Sequence, residues 1–252
     1  MENQAAGQEK VALITGGAKR IGAAIVRELH EAGINIMLHY RSSSAEARAL
    51  AAELNLKRPN SIATVQADLL NMGGLPSLVQ QTIQHFGRLD IVVNNASSFF
   101  PTPIGEVTEE SWQDLVGSNL KAPLFLIQAA AGELKKRQGC VINMVDIHAE
   151  RPMRHHVVYS VAKAGLVAMT RALARDLGPD VRVNAVAPGA NVWPDGESVF
   201  DDVSRQRIIS SIPLKRVGEP IDIARTIRFL VMDAPYITGQ IIAVDGGRSL
   251  NL

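Results

Sequence analysis

Seven short runs of apolar and β-branched residues recur along the chain: VALIT at 11–15, INIMLHY at 34–40, SIATVQ at 61–66, LDIVVN at 89–94, CVINMV at 140–145, VRVNAVA at 181–187 and QIIAV at 240–244. Their length, branching and flanking glycine or polar residues favour strands over helices. They are nearly continuous in apolar character, so each strand is buried on both faces. That pattern calls for a parallel sheet with helices on either side. Segments of helical spacing lie between the runs. In 75–86, Leu75, Leu78, Val79, Ile83 and Phe86 recur every three or four residues, as one apolar face requires. A similar pattern fills 155–178, with Gly178-Pro179 marking its end.

With 252 residues, 46% apolar and 20% charged, the chain fits one large domain with a substantial core and is not disordered. The expected fold class is α/β: a single doubly wound Rossmann domain over 1–252, with a seven-stranded parallel sheet and helices on both faces. Residues 1–9 are expected to be flexible. The stretch 190–216 reads as an irregular excursion, broken by Pro194, Asp195-Gly196 and Pro213, of the kind that forms a substrate lid. Lys plus Arg number 26 against 25 Asp plus Glu, which leaves no electrostatic footprint for nucleic acid or an anionic membrane. Cys140 is the only cysteine, which excludes an intrachain disulfide and a cysteine metal cage; it reads as a buried small hydrophobe. His148, His155 and His156 have no partner at ligand spacing and read as solvated loop residues, so no metal is expected. The polar start, MENQAAGQEK, lacks the apolar stretch of a signal peptide, and a cytoplasmic location is expected.

The first strand is followed by Thr15-Gly16-Gly17-Ala18-Lys19-Arg20-Ile21-Gly22 and then a helix. Glycines let the backbone turn sharply and approach a pyrophosphate, which rests on the helix N-terminus. The alternative is a glycine-rich turn without a ligand. An NAD enzyme of this fold wants an acid at the end of the second strand for the adenosine ribose. Here that strand ends His39-Tyr40-Arg41-Ser42-Ser43, with no acid. Arg41 and the two serine hydroxyls can hold a 2′-phosphate, with Lys19 and Arg20 adding positive charge, so NADPH is expected over NADH. Arg41 as a solvated loop residue is the other reading.

Tyr159 and Lys163 are four residues apart, on one face of a helix. A cation beside a phenol stabilises the phenolate and lowers its pKa, which makes tyrosine a usable general acid beside a hydride donor. Taken with Asn94-Asn95-Ala96, Asn119 and Pro188-Gly189, these motifs resemble, in order and rough spacing, the short-chain dehydrogenase/reductase family over nearly the whole chain. The resemblance implies Tyr159 as proton donor, Lys163 on the nicotinamide ribose and polarising Tyr159, Asn119 in a water-linked proton relay, and a homotetramer. It places the cofactor on Gly16, Lys19, Arg20 and Ile21, on His39, Tyr40, Arg41, Ser42 and Ser43, on Asp68 and Leu69 near the adenine, on Asn95, Ala96 and Ser97, on Lys163, and on Pro188 and Gly189.

Two departures narrow the substrate. The general family pattern has a third glycine where this sequence has Arg20, and a serine where it has Asp146, thirteen residues before Tyr159. A serine hydroxyl donates to a ketone oxygen; a carboxylate only accepts and repels a developing alkoxide. Reduction of a ring C=N suits an acid better, because the product nitrogen needs a proton. A loop-capping carboxylate is the alternative for Asp146. Both departures, with the segment Asn95 to Pro103, resemble the pteridine reductase branch. That resemblance implies Phe99 stacking on a pterin, Ser97 and Arg20 binding pterin and cofactor phosphates, and Asp146 and Tyr159 supplying protons. Core packing beside the sheet is the other reading for Phe99 and Phe100, and fits Phe100 better than Phe99. Trp193, in the excursion, is a candidate roof of the substrate pocket. The function implied is NADPH-dependent reduction of dihydropterins, with dihydrofolate and oxidised pterins as further substrates. The rivals are reduction of a 3-oxoacyl or sugar ketone, and a non-catalytic NADP(H) sensor.

Overall fold

The computed structural model describes residues 9–191 and 201–251. All seven apolar runs are strands: β1 (Val11–Ile14), β2 (Asn35–Tyr40), β3 (Ile62–Gln66), β4 (Ile91–Asn94), β5 (Cys140–Met144), β6 (Arg182–Pro188) and β7 (Ile241–Val244). They form one parallel sheet in the order β3-β2-β1-β4-β5-β6-β7. Eight helices accompany them among the described residues: α1 (Arg20–Glu31), α2 (Ser44–Lys57), α3 (Leu75–Phe86), α4 (Glu109–Val116), α5 (Ala122–Lys136), α6 (Val157–Asp176), α7 (Asp202–Ser211) and α8 (Pro220–Met232).

The two-residue period of a strand sends alternate side chains to opposite layers. Ile14, Ile36, Leu38, Val93 and Ile142 pack with Ile25 and Leu29 of α1 and Ile227 and Leu230 of α8. Leu13, Met37, Val92 and Val141 point the other way, against Leu75 and Leu78 of α3 and Leu126 and Leu134 of α5. Each such fully buried Leu or Ile contributes roughly 1.5–3 kcal/mol, so the sheet is clamped from both sides. The apolar face read over 75–86 is α3 itself; Pro76 stands in its first turn and Gly87, at φ +78°, ends it.

Two features depart from the sequence reading. Between α4 and α5 the rod passes through a π-helical turn, Gly117–Lys121. The excursion is not wholly irregular: Asp201 accepts from the Ser204 N–H at 2.8 Å and starts α7. None of the α7 side chains is buried, so it has no apolar stripe for periodicity to reveal. Trp193 and the Pro194–Gly196 break lie outside the described residues. Helix α6 matches the pattern over 155–178; an 18-residue stretch of it, with a mean hydropathy of 1.3, is long and apolar enough to cross a bilayer, yet half of that stretch is buried within this domain.

Candidate active site

In a doubly wound sheet, ligands bind beyond the carboxyl ends of the strands, where the order reverses. Here that point is the β1/β4 pair. The Gly16 turn follows β1, Arg41 follows β2, Asp68 follows β3, and Asn95 to Phe99 follow β4. Asp146 follows β5 and Gly189 follows β6. Buried polar links fix α6 on the sheet: Asn94 Nδ2 donates to Asn143 Oδ1 at 2.8 Å, and Asn143 Nδ2 donates to Thr170 Oγ1 at 3.0 Å. The helix carrying Tyr159 and Lys163 is thereby held in register with β4 and β5.

The first cavity, of about 350 Å³, is lined by Gly16, Lys19, Arg20, Ile21, His39, Arg41, Asp68, Leu69, Asn95, Ala96 and Ser97. Its floor is the glycine turn. Gly16 has φ +62°, and a Cβ on Gly22 would lie 2.1 Å from the Gly16 carbonyl oxygen, so no other residue fits at Gly22. Thr15 accepts from the backbone N–H groups of Asn95 and Ala96 at 2.9 and 3.0 Å, and Asn95 Nδ2 donates to the Thr15 and Gly16 carbonyls. His39 takes the Gly16 N–H on Nδ1 at 3.2 Å, so Nε2 carries the proton and donates to the Ala67 carbonyl. Burial pulls the His39 pKa down and keeps this neutral form. Arg20 has φ +51°, a left-handed backbone in the position where the family pattern has glycine.

At the mouth of this cleft Arg41 is exposed and Ser42 stands beside it, also exposed. Ser43 precedes α2 without capping it through its side chain. The Tyr40 side chain lies in the core instead, 7% exposed. Lys19 forms an ion pair with Glu46 of α2, so part of the positive charge expected here is already matched. The cleft fits a dinucleotide: a backbone turn with no room for a Cβ, the start of α1, and a guanidinium with no neighbouring acid on β2.

The second cavity, of about 710 Å³, adjoins the first through Arg20, Ile21, Asn95 and Ser97 and contains Phe99, Asp146, Tyr159, Lys163, Pro188 and Gly189. Tyr159 donates to Asp146 Oδ2 at 2.7 Å. The other carboxylate oxygen, Oδ1, accepts from the His148 N–H at 2.8 Å and caps the short 3₁₀ turn Ile147–Ala149. Asp146 therefore caps a turn with one oxygen, the alternative reading of the sequence, while its other oxygen accepts from the phenol inside the cavity. Lys163 is 2% exposed, donates to the Met144 carbonyl at 2.8 Å, and has its Nζ 5.6 Å from the Tyr159 ring centre.

The electrostatics correct one expectation. Burial, then the charge of Asp146 and the hydrogen bond to it, hold the Tyr159 phenol well above its usual pKa. Lysine spacing alone predicts the opposite; the closer, directly bonded carboxylate wins over an amine that bonds to Met144. The phenol is thus neutral throughout the physiological range. Burial brings Lys163 down to about 8, with Asp146 opposing the shift. Cys140 is buried and its thiol is pushed up to about 11, which leaves it inert.

Asn119 lies in the π-helical turn and is 1% exposed. It accepts from Ser97 Oγ at 2.6 Å and donates to the Ser98 and Leu115 carbonyls at 2.9 Å. Among the described residues its hydrogen bonds reach neither Tyr159 nor Lys163; they tie the loop after β4 to the helix. His155 is an exposed loop residue as expected, whereas His148 and His156 differ from the reading as solvated residues. His148 is buried with Nδ1 bonded to the Arg151 carbonyl, and His156 stacks on Phe99 at 4.8 Å and 14°. Phe99 also meets Tyr159 edge-on at 4.9 Å. Sequence reasoning missed Thr15, whose hydroxyl after β1 was a legible signal, and His156, Met153 and Arg248, which only tertiary folding brings to the second cavity or its rim.

A family model described as Enoyl-(Acyl carrier protein) reductase matches residues 16–249. The chain is 39% identical to pteridine reductase 1 of Leishmania tarentolae, over 95% of this chain and 96% of that protein. It is 35% identical to the 3-oxoacyl-[acyl-carrier-protein] reductase FabG of Staphylococcus aureus, over 94% and 97% respectively. With the Synechocystis 3-oxoacyl-[acyl-carrier-protein] reductase the identity is 36%, over 94% and 96%. Taken with the sheet order and the Tyr159–Lys163 helix, these matches make the chain an oxidoreductase of the short-chain dehydrogenase/reductase family.

Proposed function

We propose that this oxidoreductase is an NADPH-dependent pteridine reductase, adding hydride to C6 and a proton to N5 of a 7,8-dihydropterin, with dihydrofolate and oxidised pterins as further substrates. The observation that carries the reading is the 2.7 Å bond from Tyr159 to Asp146. Two acidic groups in contact at the cavity wall suit a reaction whose product nitrogen must be protonated, and the carboxylate disfavours an alkoxide. The similarity to a protein named pteridine reductase supports it; the similarity to 3-oxoacyl reductases supports ketone reduction as the second reading.

The nicotinamide supplies the hydride when bound. Arg41, Ser42 and the turn after β1 would hold its dinucleotide, and the absence of an acid after β2 favours the 2′-phosphate form. Tyr159, kept neutral, hands its O–H proton to the ring nitrogen, and the Lys163 ammonium stabilises the phenolate left behind. Asp146 holds the phenol before the transfer. The pterin would stack on the Phe99 face that His156 leaves free. Exposed Leu124 and Phe125 on α5 and Val157 and Val161 on α6 support association of copies, consistent with a homotetramer.

The test is NADPH oxidation with a panel of dihydropterins and a 3-oxoacyl thioester. Dihydropterin turnover that falls at least tenfold in Asp146→Ser, and is abolished in Tyr159→Phe with NADPH binding kept, is expected. Turnover of the thioester alone, unchanged or improved by Asp146→Ser, would establish ketone reduction instead.

A further inference from the structure

Arg248 opens the 3₁₀ turn Arg248–Asn251 beyond β7, and its side chain lines the same cavity as Asp146, Tyr159, Lys163 and Phe99. Its Nε is buried and has no hydrogen-bond partner among the described residues. Two carboxylates are close enough to influence it, Asp146 and Asp245, and both have hydrogen-bond donors elsewhere. Asp245 accepts from the Gly247 and Ser249 N–H groups at 2.9 and 2.7 Å. Asp146 accepts from Tyr159 and His148. Neither hydrogen-bonds the guanidinium among the described residues. Burial depresses the Arg248 pKa, the mark of a charge only partly compensated.

Among the described residues, the charged groups around this cavity are Arg20, Asp146, Lys163 and Arg248, with His148 held by the Arg151 carbonyl. Arg20 also lines the dinucleotide cleft, where phosphates would use its charge. Lys163 and Asp146 then offset one another, and the positive charge that remains among the described residues is Arg248. A planar fork of N–H donors on the wall of a reaction cavity, with one donor buried and unused, matches a carboxylate.

Resting on the pterin reading above, we propose that Arg248 is a specificity-determining residue that binds a carboxylate on the substituent of the reduced ring. The enzyme would thereby favour a dihydropterin with an acidic tail, of the dihydrofolate kind, over one with a neutral hydroxylated side chain.

The experiment compares wild type, Arg248→Gln and Arg248→Lys in steady-state NADPH oxidation with dihydrofolate and with a dihydropterin carrying a neutral dihydroxypropyl group. NADPH binding by fluorescence serves as the check that each variant is folded. The expected result is a KM for dihydrofolate raised about tenfold or more in Arg248→Gln, with kcat within about twofold, partial rescue in Arg248→Lys, and an unchanged KM for the neutral substrate. The wild-type KM for dihydrofolate should also rise with salt, and that dependence should weaken in Arg248→Gln. Equal effects on both substrates, or none, would overturn the role of Arg248 while leaving pterin reduction intact. Failure of wild type to reduce either ring would remove this proposal together with the pterin reading.

Discussion

Lys163 should make the cofactor-free protein less stable than an apolar residue in its place, and the deficit should have a defined pH window. Burial brings its pKa from the ordinary 10.5 to about 8. Keeping the amine charged at pH 7 therefore costs about 3 kcal/mol of folding stability. Between those two pKa values the unfolded chain holds more protons here than the folded one, so stability rises with pH across that window. In Lys163→Met this penalty disappears, offset by roughly 1.5–3 kcal/mol for the lost charged hydrogen bond to the Met144 carbonyl. The net expectation at pH 7 is a variant about 1 kcal/mol more stable, with Tm raised about 3 °C, and without turnover. Urea denaturation of both proteins at pH 7 and pH 9.5 checks this. The wild type should recover about 2 kcal/mol relative to the variant by pH 9.5, since most of the window has then been crossed. A stability difference that stays constant between the two pH values would refute the assignment of a depressed pKa to a charged, buried Lys163.

Turnover should fall on the alkaline side with an apparent pKa near 8 as Lys163 loses its proton, because Tyr159 remains protonated there; Lys163→Arg should remove that limb from the pH–rate profile. Arg41→Glu should raise the KM for NADPH at least tenfold and that for NADH far less, measured in parallel steady-state assays. Gly22→Ala should weaken NADPH binding at least tenfold by fluorescence titration, because the added Cβ would sit 2.1 Å from the Gly16 carbonyl oxygen and displace the turn.

The strands and α3 were legible because burial on both faces leaves nearly unbroken apolar runs, and one-sided burial leaves a three-to-four-residue stripe. Gly16 and Arg41 were placed by the same logic, since each follows a strand. What stayed hidden depends on geometry that spacing does not encode. The turn at Gly117–Lys121 adds a residue to a helical cycle without changing its composition. No residue of helix α7 is fully buried, so it leaves no stripe. The pKa direction of Tyr159 is not legible in the spacing: the i, i+4 relation puts an amine nearby, but only folding brings Asp146, thirteen positions upstream, into bonding contact. The Phe99–His156 stack and the seat of Arg248 likewise join residues distant along the chain.

The extra residue in the rod from Glu109 to Lys136 has a mechanical consequence. Each residue turns a helix by about 100°, so removing one from the widened cycle would swing everything downstream around the axis. Leu115, upstream, is packed with Val158 and Tyr159, while Leu126, Ile127, Ala130 and Leu134, downstream, are packed on the sheet. The widened cycle reconciles two angular settings that an unbroken α-helix would satisfy only one at a time, with Asn119 at the joint. A one-residue deletion there should therefore be far more damaging than any single substitution, because it would misalign a whole layer of the core.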